Sequence, residues 1–441
     1  MARRAGLDVV VLEREGHVGG LAASFAVAGV RVDHGSHRLH PSTDPAILAE
    51  LRALMGSDLQ LRRRNGRIRL EGRWIGFPLR PANLLRNLPP GFALAAARDA
   101  ASSWARKTAG DSFADVLRGW LGPTMCERFY FPYARKLWGV EPEEIDADQA
   151  RRRVSSRSAG NLLRSMALGK GVLPGSHFYY PRRGFGQIAE ALADAASDAG
   201  AQIRLRSSVE RIVHSRQGFQ AWTSGGGRVD SRMLWSTIPL PVLARLAEPS
   251  PAAPVLDAAT SLHFRSMLLV YLVVAQRPYT PYDAHYLPGP DTPVTRISEP
   301  ANYRDGNDPG DVTVLCAEIP CSRQDELWSA ADETLAGLVL KTLAKTALPP
   351  ARPVACEVKR VANAYPIYLR GYRNALGRLE GWASEAGVVT FGRQGLFAHD
   401  NSHHALAMAW AAADALRSDG TFDEASWAES RRRFETHVVE D

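Results

Sequence analysis

The chain has few cysteines, and their arrangement excludes the common cysteine-based sites. Four occur in 441 residues, and none is part of a C-x-x-C pair: Cys126, Cys316, Cys321 and Cys356. The one tight histidine pair, His403-His404, consists of adjacent residues, which point in different directions on a helix. We therefore expect free thiols in a reducing compartment and no metal site.

Long apolar runs are also absent. The longest covers residues 267–275, far fewer than the ~18 residues that span a bilayer, and its β-branched content is typical of a buried strand. A signal peptide is excluded as well, because a strand and an acidic residue directly follow the basic first residues. These absences predict a cytoplasmic protein without a transmembrane segment.

Lysine is scarce, so arginine carries most of the positive charge behind the net charge of +7. No basic run is interleaved with aromatic residues, which disfavours nucleic acid binding. The hydrophobic share of 45% and the charged share of 23% are those of an ordinary globular protein. The length allows two or three domains.

The sequence begins with half of a nucleotide-binding site. Residues 8–14 read as a buried parallel strand ending in Glu13, and the turn that follows contains Gly19-Gly20. In a Rossmann unit such an acid holds the ribose hydroxyls, while a G-x-G-x-x-G loop roughly 20 residues upstream cradles the pyrophosphate. Only residues 1–7 precede the strand, and they resemble the last turn of the helix after that loop. We therefore expect a misplaced gene start, and we expect the chain as written to bind its cofactor weakly or not at all.

A later stretch resembles the missing G-x-G-x-x-G loop in sequence. Gly184-Phe185-Gly186 begins a G-x-G-x-x-A match that leads into a helix. The preceding residues 179–183 are not a buried hydrophobic strand, and a lone match of this kind is weak. We predict a tight turn and a helix start here.

Nucleotide-unit patterns recur at the start, middle and end of the chain, with helical and strand-rich stretches between. Asp44 and Pro45 predict the start of a helix to about Gly56, and one face of it carries Ile47, Leu48, Leu51 and Leu54. The interleaving predicts an α/β fold: a discontinuous Rossmann-like cofactor domain with an inserted α+β substrate domain, part helical and part antiparallel sheet. The cofactor domain is predicted at residues 1–45, 175–260 and 355–441, and the substrate domain at 46–174 and 261–354.

Taken together, several stretches resemble the FAD-dependent amine oxidase and protoporphyrinogen oxidase-like flavoproteins, with UDP-galactopyranose mutase as a relative. The matching stretches are Glu13-Arg14 through Gly19-Gly20-Leu21, residues 35–40, residues 133–139, Val209, residues 295–299, Tyr365-Pro366-Ile367, and residues 392–397 with Asn401. They occur in the family's order along nearly the whole chain. Two departures from the mutase pattern are Ser36 in place of Pro and Ala364 in place of Tyr.

The resemblance implies FAD as the cofactor. It places cofactor contacts at Glu13, Arg14, Gly19, Gly20, Leu21, Gly35, Ser36, His37, Val209, Gly392, Arg393, Gly395, Leu396, Phe397 and Asn401. It places catalytic roles at Arg296, Tyr365 and His37. Arg296 is expected to hold an anionic or polar substrate, and Tyr365 to line the pocket with Tyr368.

Three readings of the chemistry stay open at this stage. In the first, the protein is an oxidoreductase that removes a hydride from a small organic substrate, with O2 or a quinone as electron acceptor. In the second, it is a non-redox isomerase of a nucleotide sugar, like the mutases. In the third, it is a non-catalytic scaffold that has lost its cofactor. A homodimer is compatible with each of them.

Overall fold

The computed structural model describes residues 6–79, 83, 86–102, 110–153 and 176–439. The helices are Pro45–Met55, Pro90–Ala101, Phe113–Leu121, Pro123–Met125, Phe131–Trp138, Ala147–Arg153, Gln187–Asp198, Leu240–Leu246, Ala253–Ser261, Glu326–Ser329, Asp332–Lys345, Tyr372–Glu385, Gly392–Gly395, Ser402–Asp414 and Glu424–Phe434. Shorter 3₁₀ segments are Gly20–Ala22, Gly56–Asp58 and Pro300–Tyr303, and Cys126–Tyr130 is a π-helical turn. Helices and strands alternate as the α/β prediction requires.

The largest sheet, called here the mixed sheet, has seven strands. Their order across the sheet is Pro353–Ile367, His263–Val274, Thr313–Cys321, Arg296–Ser298, Ala284–Tyr286, Gly66–Leu70 and Arg73–Phe77. Neighbours pair antiparallel except Ala284–Tyr286 with Gly66–Leu70, which pair parallel. The predicted antiparallel sheet therefore contains one parallel pair. It joins a strand from early in the chain to one from much later.

The long strand His263–Val274 forms the centre of the core. Its residues alternate between two apolar layers, with Leu268, Val270 and Leu272 in one and Met267 and Tyr271 in the other. A strand that is covered on both faces reads as one continuous apolar run, as residues 267–275 do. Tyr271 extends the second layer to the N-terminal hairpin, since its hydroxyl donates to the Asp33 carbonyl at 2.6 Å.

The remaining strands form smaller sheets. Four strands follow the order Arg228–Ser231, Gly218–Thr223, Val209–Ser215 and Ala247–Glu248, and two antiparallel pairs join Ser24–Val27 with Val30–Asp33 and Leu59–Arg63 with His177–Pro181. Two parallel pairs join Val10–Leu12 with Gln202–Arg204 and Leu234–Ser236 with Val388–Thr390. Parallel pairs of strands this distant in sequence are the connectivity of a discontinuous nucleotide-binding unit.

Two details differ from the predictions. The strand before Glu13 is not fully buried, since Val11 is 43% exposed; among the described residues it has one partner strand, at Gln202–Arg204. In the first helix, Met55 is buried in place of Leu54, which is 39% exposed. The face set by Ile47 and Leu51 continues four residues further on, at position 55.

The predicted domain boundary at residue 355 lies inside a strand. Pro353–Ile367 pairs with His263–Val274 over nearly its full length. Residues 355–367 therefore belong to the mixed sheet structurally, while the chain beyond them returns to the parallel pair at Val388–Thr390.

All four cysteines carry free thiols. Across the ranges that the structure describes, no helix has the length and apolar character needed to cross a membrane.

One buried histidine of the mixed sheet makes stability pH-dependent. Burial lowers the pKa of His285 to about 3, and its ring nitrogens pair with Arg67 at 2.9 Å and Thr280 at 3.0 Å. The unfolded chain binds this proton near its ordinary pKa of about 6.5, so folding is favoured above that pH and progressively disfavoured below it. We expect the free energy of unfolding to fall from pH 6.5 towards pH 3, by about 1.4 kcal/mol per pH unit for this one group.

Urea unfolding of the wild type and of His285→Gln at several pH values tests this expectation. The variant should lose that part of the pH slope, whatever its stability at neutral pH. The exposed His214→Gln is the matched control and should keep the slope. Equal slopes for His285→Gln and wild type would contradict the assignment.

Candidate active site

The residues predicted to bind the ribose of the cofactor lie at the first turn of the chain. Glu13 is half-buried, and its carboxylate accepts the backbone N–H of Glu15 at 2.8 Å. Gly19 has φ +98°, and a Cβ there would lie 3.0 Å from the Ala189 Cβ, so glycine lets the turn pack against helix Gln187–Asp198. Leu21 lies in the short 3₁₀ segment, and Arg14 pairs with Glu15 at 2.9 Å.

The predicted cofactor contact Val209 lies beside this turn. Val209 begins a strand of the four-stranded sheet. Two residues earlier, the Ser207 backbone N–H donates to the Glu13 carbonyl at 2.8 Å. The structure therefore brings Val209, Glu13 and the glycine turn into one neighbourhood.

The stretch that imitates a phosphate loop is a turn, as predicted. The Gly186 N–H donates to Ser24 Oγ at 2.7 Å and the Phe185 N–H donates to the Asp33 carboxylate at 2.9 Å. A Cβ at Gly186 would lie 2.4 Å from the Ser24 backbone nitrogen. These N–H groups already have acceptors and are not available to a pyrophosphate.

Asp33 is a buried anchor that sequence reasoning missed. Its carboxylate accepts Ser24 Oγ–H at 2.5 Å, the Tyr180 hydroxyl at 2.6 Å and the Phe185 N–H. It immediately precedes residues 34–37 and so fixes where they begin. The available signal was an acidic residue at the end of the short strand Val30–Asp33.

The segment after Asp33 carries three predicted site residues. Gly35 has φ +95°, and a Cβ there would lie 3.3 Å from Glu318 Oε1. Ser36 donates its backbone N–H to the same oxygen at 2.9 Å. The His37 ring stacks on Phe185 with centroids 5.3 Å apart. Burial, with the positive charge of nearby guanidiniums, lowers the pKa of His37 to about 3, so its imidazole is neutral at physiological pH.

Arg296 lies next to this segment. One guanidinium nitrogen lies 2.7 and 2.8 Å from the two Glu318 oxygens, and Nε donates to the same carboxylate at 3.0 Å. The pair is largely buried, with 17% and 5% of the two side chains exposed. Glu318 was missed, although an acidic residue inside the wholly buried strand Thr313–Cys321 is an unusual feature. Because Glu318 neutralises Arg296, an anionic substrate would have to compete with it.

The remaining predicted cofactor contacts lie in the C-terminal stretch, residues 392–401. Gly392 has φ +77°, and a Cβ at Gly395 would lie 2.9 Å from the Ser236 carbonyl oxygen. Phe397 packs edge-on against Phe264. Leu396 is buried, and Asn401 caps helix Ser402–Asp414.

Arg393 joins the two sides of the site. Its guanidinium lies over the Tyr365 ring, 4.6 Å from the centroid. Tyr365 in turn stacks on His399, with centroids 5.4 Å apart, and both Arg393 and Arg296 lie close enough to His37 to lower its pKa. The predicted residues His37, Arg296 and Tyr365 therefore meet Arg393 in one cluster.

Residues 133–139 border this cluster. They end helix Phe131–Trp138, which Gly139 closes at φ +73°. Lys136 donates to the carbonyl oxygens of Leu287 and Val294 at 2.5 and 2.9 Å, which ties the helix to the mixed sheet. Burial lowers the pKa of Lys136 to about 7.

A second histidine cluster lies just beyond His399. One ligand atom each from Asp400, His404 and His437 lie within 4.8 Å of one another. Arg152 also reaches the Asp400 carboxylate, at 3.3 Å, and His404 Nδ1 already accepts the Asn401 N–H of the helix cap. The cluster therefore has a structural explanation as a buried charge network.

The comparisons with known proteins agree with this geometry. A family model described as flavin containing amine oxidoreductase matches residues 3–416. The chain belongs to this family. The curated protein AofH of Mycobacterium tuberculosis, named as a flavin-containing monoamine oxidase, is 28% identical over 260 residues, which are 54% of this chain and 52% of AofH. The chain thus spans about half the length of that curated relative.

Solved structures show the same fold. Reduced UDP-galactopyranose mutase matches with a TM-score of 0.77 at 20% identity, over 97% of this chain and 93% of that one. A structure named as a protoporphyrinogen oxidase from Exiguobacterium matches with 0.69 at 19% identity, over 89% and 90%. Putrescine oxidase bound to putrescine matches with 0.61 at 17% identity, over 92% of both chains. The predicted fold class, family and FAD cofactor are confirmed.

The residues present fit FAD at both of its ends. The Glu13 carboxylate and the close-packed glycine turn suit a ribose. At the other end, the buried nitrogen His37 Nδ1 and the buried oxygen Gln394 Oε1 have no hydrogen-bond partner among the described residues. Such atoms match the nitrogen and carbonyl edge of an isoalloxazine, which offers both donors and acceptors.

Proposed function

We propose that the protein is an FAD-dependent oxidoreductase that removes a hydride from a small organic substrate. The observation that supports this best is the meeting of His37, Arg296, Tyr365 and Arg393 between the mixed sheet and the C-terminal stretch. When bound, FAD supplies the hydride acceptor, and O2 or a quinone takes up the electrons. The protein binds and orients the substrate and the cofactor, and it excludes water from them.

Each cluster residue has a role that its contacts support. His37 is neutral, so it acts as a hydrogen-bonding group that adds no charge. Arg296 is fixed by Glu318 and provides a rigid polar wall beside Ser36. Tyr365 presents its ring between Arg393 and His399. In this proposal Glu13, Gly19, Gly20 and Val209 hold the adenosine side of the cofactor, while Gly35, Ser36 and Gly392 hold the flavin side.

The test uses the full chain incubated with excess FAD. Anaerobic addition of candidate amines, amino acids and porphyrinogens should bleach the visible absorption of the flavin for at least one of them, with peroxide formed when air returns. His37→Asn should slow the bleaching at least about tenfold, in the range that positioned groups contribute. The matched control His214→Asn lies on the four-stranded sheet and should not change the rate.

Two outcomes would overturn this proposal. Conversion of UDP-galactopyranose by the reduced protein, with no net change in flavin oxidation, would assign the isomerase chemistry instead. Flavin uptake with no bleaching by any candidate and no conversion of UDP-galactopyranose would indicate a non-catalytic protein. A cytoplasmic location and a homodimer stay predictions.

A further inference from the structure

Around the Tyr365 ring, several buried hydrogen-bond donors have no acceptor. Trp138 Nε1 and Arg393 Nε carry hydrogens, are buried and lack a partner among the described residues. Neither atom can accept a hydrogen bond. Trp138 is 3% exposed, and its ring lies 6.4 Å from His399, which stacks on Tyr365.

His399 adds a third donor of this kind. Arg153 lies 3.2 Å from His399 Nε2, and because a guanidinium only donates, Nε2 must be the acceptor. Burial and the charges of Arg153 and Arg393 hold the pKa of His399 well below its usual range, so the ring is neutral. Its one proton is therefore on Nδ1, which is buried and unpartnered.

The charges at this place are also unbalanced. The neighbouring arginines have carboxylate partners: Arg296 has Glu318, Arg152 has Asp400 and Arg38 has Asp283. Within the described ranges, Arg153 and Arg393 form no ion pair; Arg153 contacts His399 and Trp138, and Arg393 contacts Tyr365. The stretch 154–175 that follows Arg153 contains no Asp or Glu in the sequence.

Helix Ala147–Arg153 extends the polar surface. Gln149 lies three and four residues before Arg152 and Arg153, so the three side chains share one helix face. That face meets residues 399–400 through the two arginines. Gln149 is fully buried, and neither amide atom has a partner among the described residues.

We propose that Arg153, Arg393 and His399 form a subsite for an acidic group of the substrate, a carboxylate or a phosphate. Two guanidiniums without carboxylates and a set of orphan donors complement an acceptor-rich anion. The same charges oppose a protonated amine, because like charges in a partly buried site repel strongly. The inference rests on the proposed function, because it takes the bound anion to be the substrate of that reaction. It adds that this substrate is acidic.

The first test compares two ligands of similar shape and opposite charge. Binding of benzoate and of benzylamine is measured by quenching of Trp fluorescence and by equilibrium dialysis, in chain saturated with FAD. Benzoate should bind at least about tenfold more tightly, the effect of about 1.4 kcal/mol of differential interaction. Inorganic phosphate should compete with it. Tighter binding of benzylamine would overturn the proposal.

The FAD arm separates two sources of the anion. If benzoate binds only without FAD and is displaced by it, the subsite belongs to the cofactor's own phosphates or carbonyls and the proposal falls. If benzoate binds equally with saturating FAD, the subsite is free for a substrate. Dialysis needs no flavin redox change, so benzoate binding together with a failure of every candidate substrate to bleach the flavin would remove the proposed function and leave the anion subsite standing.

Variants then assign the binding to residues. Arg153→Gln should weaken benzoate at least about tenfold and Arg153→Lys less, since lysine keeps the charge and loses the fork geometry. Arg393→Gln should act like Arg153→Gln; the half-exposed Arg153 series decides if that variant does not fold. The matched control is Arg211→Gln, exposed on the four-stranded sheet beside Glu248. Unchanged benzoate affinity in Arg153→Gln would overturn the assignment.

Discussion

Glu318→Ala should lower the free energy of unfolding by about 3–5 kcal/mol, the cost of leaving one partner of a buried ion pair without the other. The Glu318 carboxylate accepts hydrogen bonds from two nitrogens of Arg296 and from the backbone N–H of Ser36. The variant would leave the Arg296 charge in a largely buried place and free a backbone donor. Urea unfolding at neutral pH measures the loss.

The double variant Arg296→Met with Glu318→Leu separates charge from packing. Removing both charges should restore most of the lost stability, because apolar pairs often replace buried ion pairs at little cost. The exposed pair of Arg228 and Asp230 provides the control, and Asp230→Ala should change stability by at most about 1 kcal/mol. A loss below about 1 kcal/mol in Glu318→Ala would show that Arg296 reaches solvent and is not fixed.

Local patterns predicted the secondary structure well, since the causes lie within a few residues. Asp44 caps its helix by accepting the N–H of Ala46 at 2.8 Å, and Pro45 stands in the first turn. Glu71-Gly72 closes the hairpin between Gly66–Leu70 and Arg73–Phe77, with a glycine at the turn. Such features depend on backbone propensity and side-chain periodicity, which the sequence displays directly.

The partners of the site residues were beyond such patterns. Arg296 pairs with Glu318 and Tyr365 stacks on His399, residues 22 and 34 positions away, and Arg153 reaches His399 from 246 positions away. These contacts exist only once the mixed sheet has brought the segments together. The resemblance named the residues that form the cluster, but it could not show that Glu318 neutralises Arg296. Nor could it show that Arg153 forms no ion pair with any residue of the described ranges.

Asp33→Ala should be the other severe substitution, with a loss of at least about 3 kcal/mol. Three donors point at its carboxylate, from Ser24, Tyr180 and Phe185, and a buried donor left without an acceptor costs about 1–3 kcal/mol. Tyr180 is fully buried, so water cannot replace the lost acceptor there. Urea unfolding measures the loss, and the exposed Asp257→Ala is the matched control.

The same substitution should also disturb the candidate active site, because Asp33 fixes the start of the segment that carries His37. Asp33→Asn keeps one carbonyl oxygen but presents an NH2 group to a donor, so it should lie between wild type and Asp33→Ala in stability. If the proposed flavin position is correct, FAD should bind more weakly to Asp33→Asn than to Asp257→Ala at a temperature where both are folded. Full stability of Asp33→Ala would show that the three donors find other acceptors and that Asp33 is not the anchor of this segment.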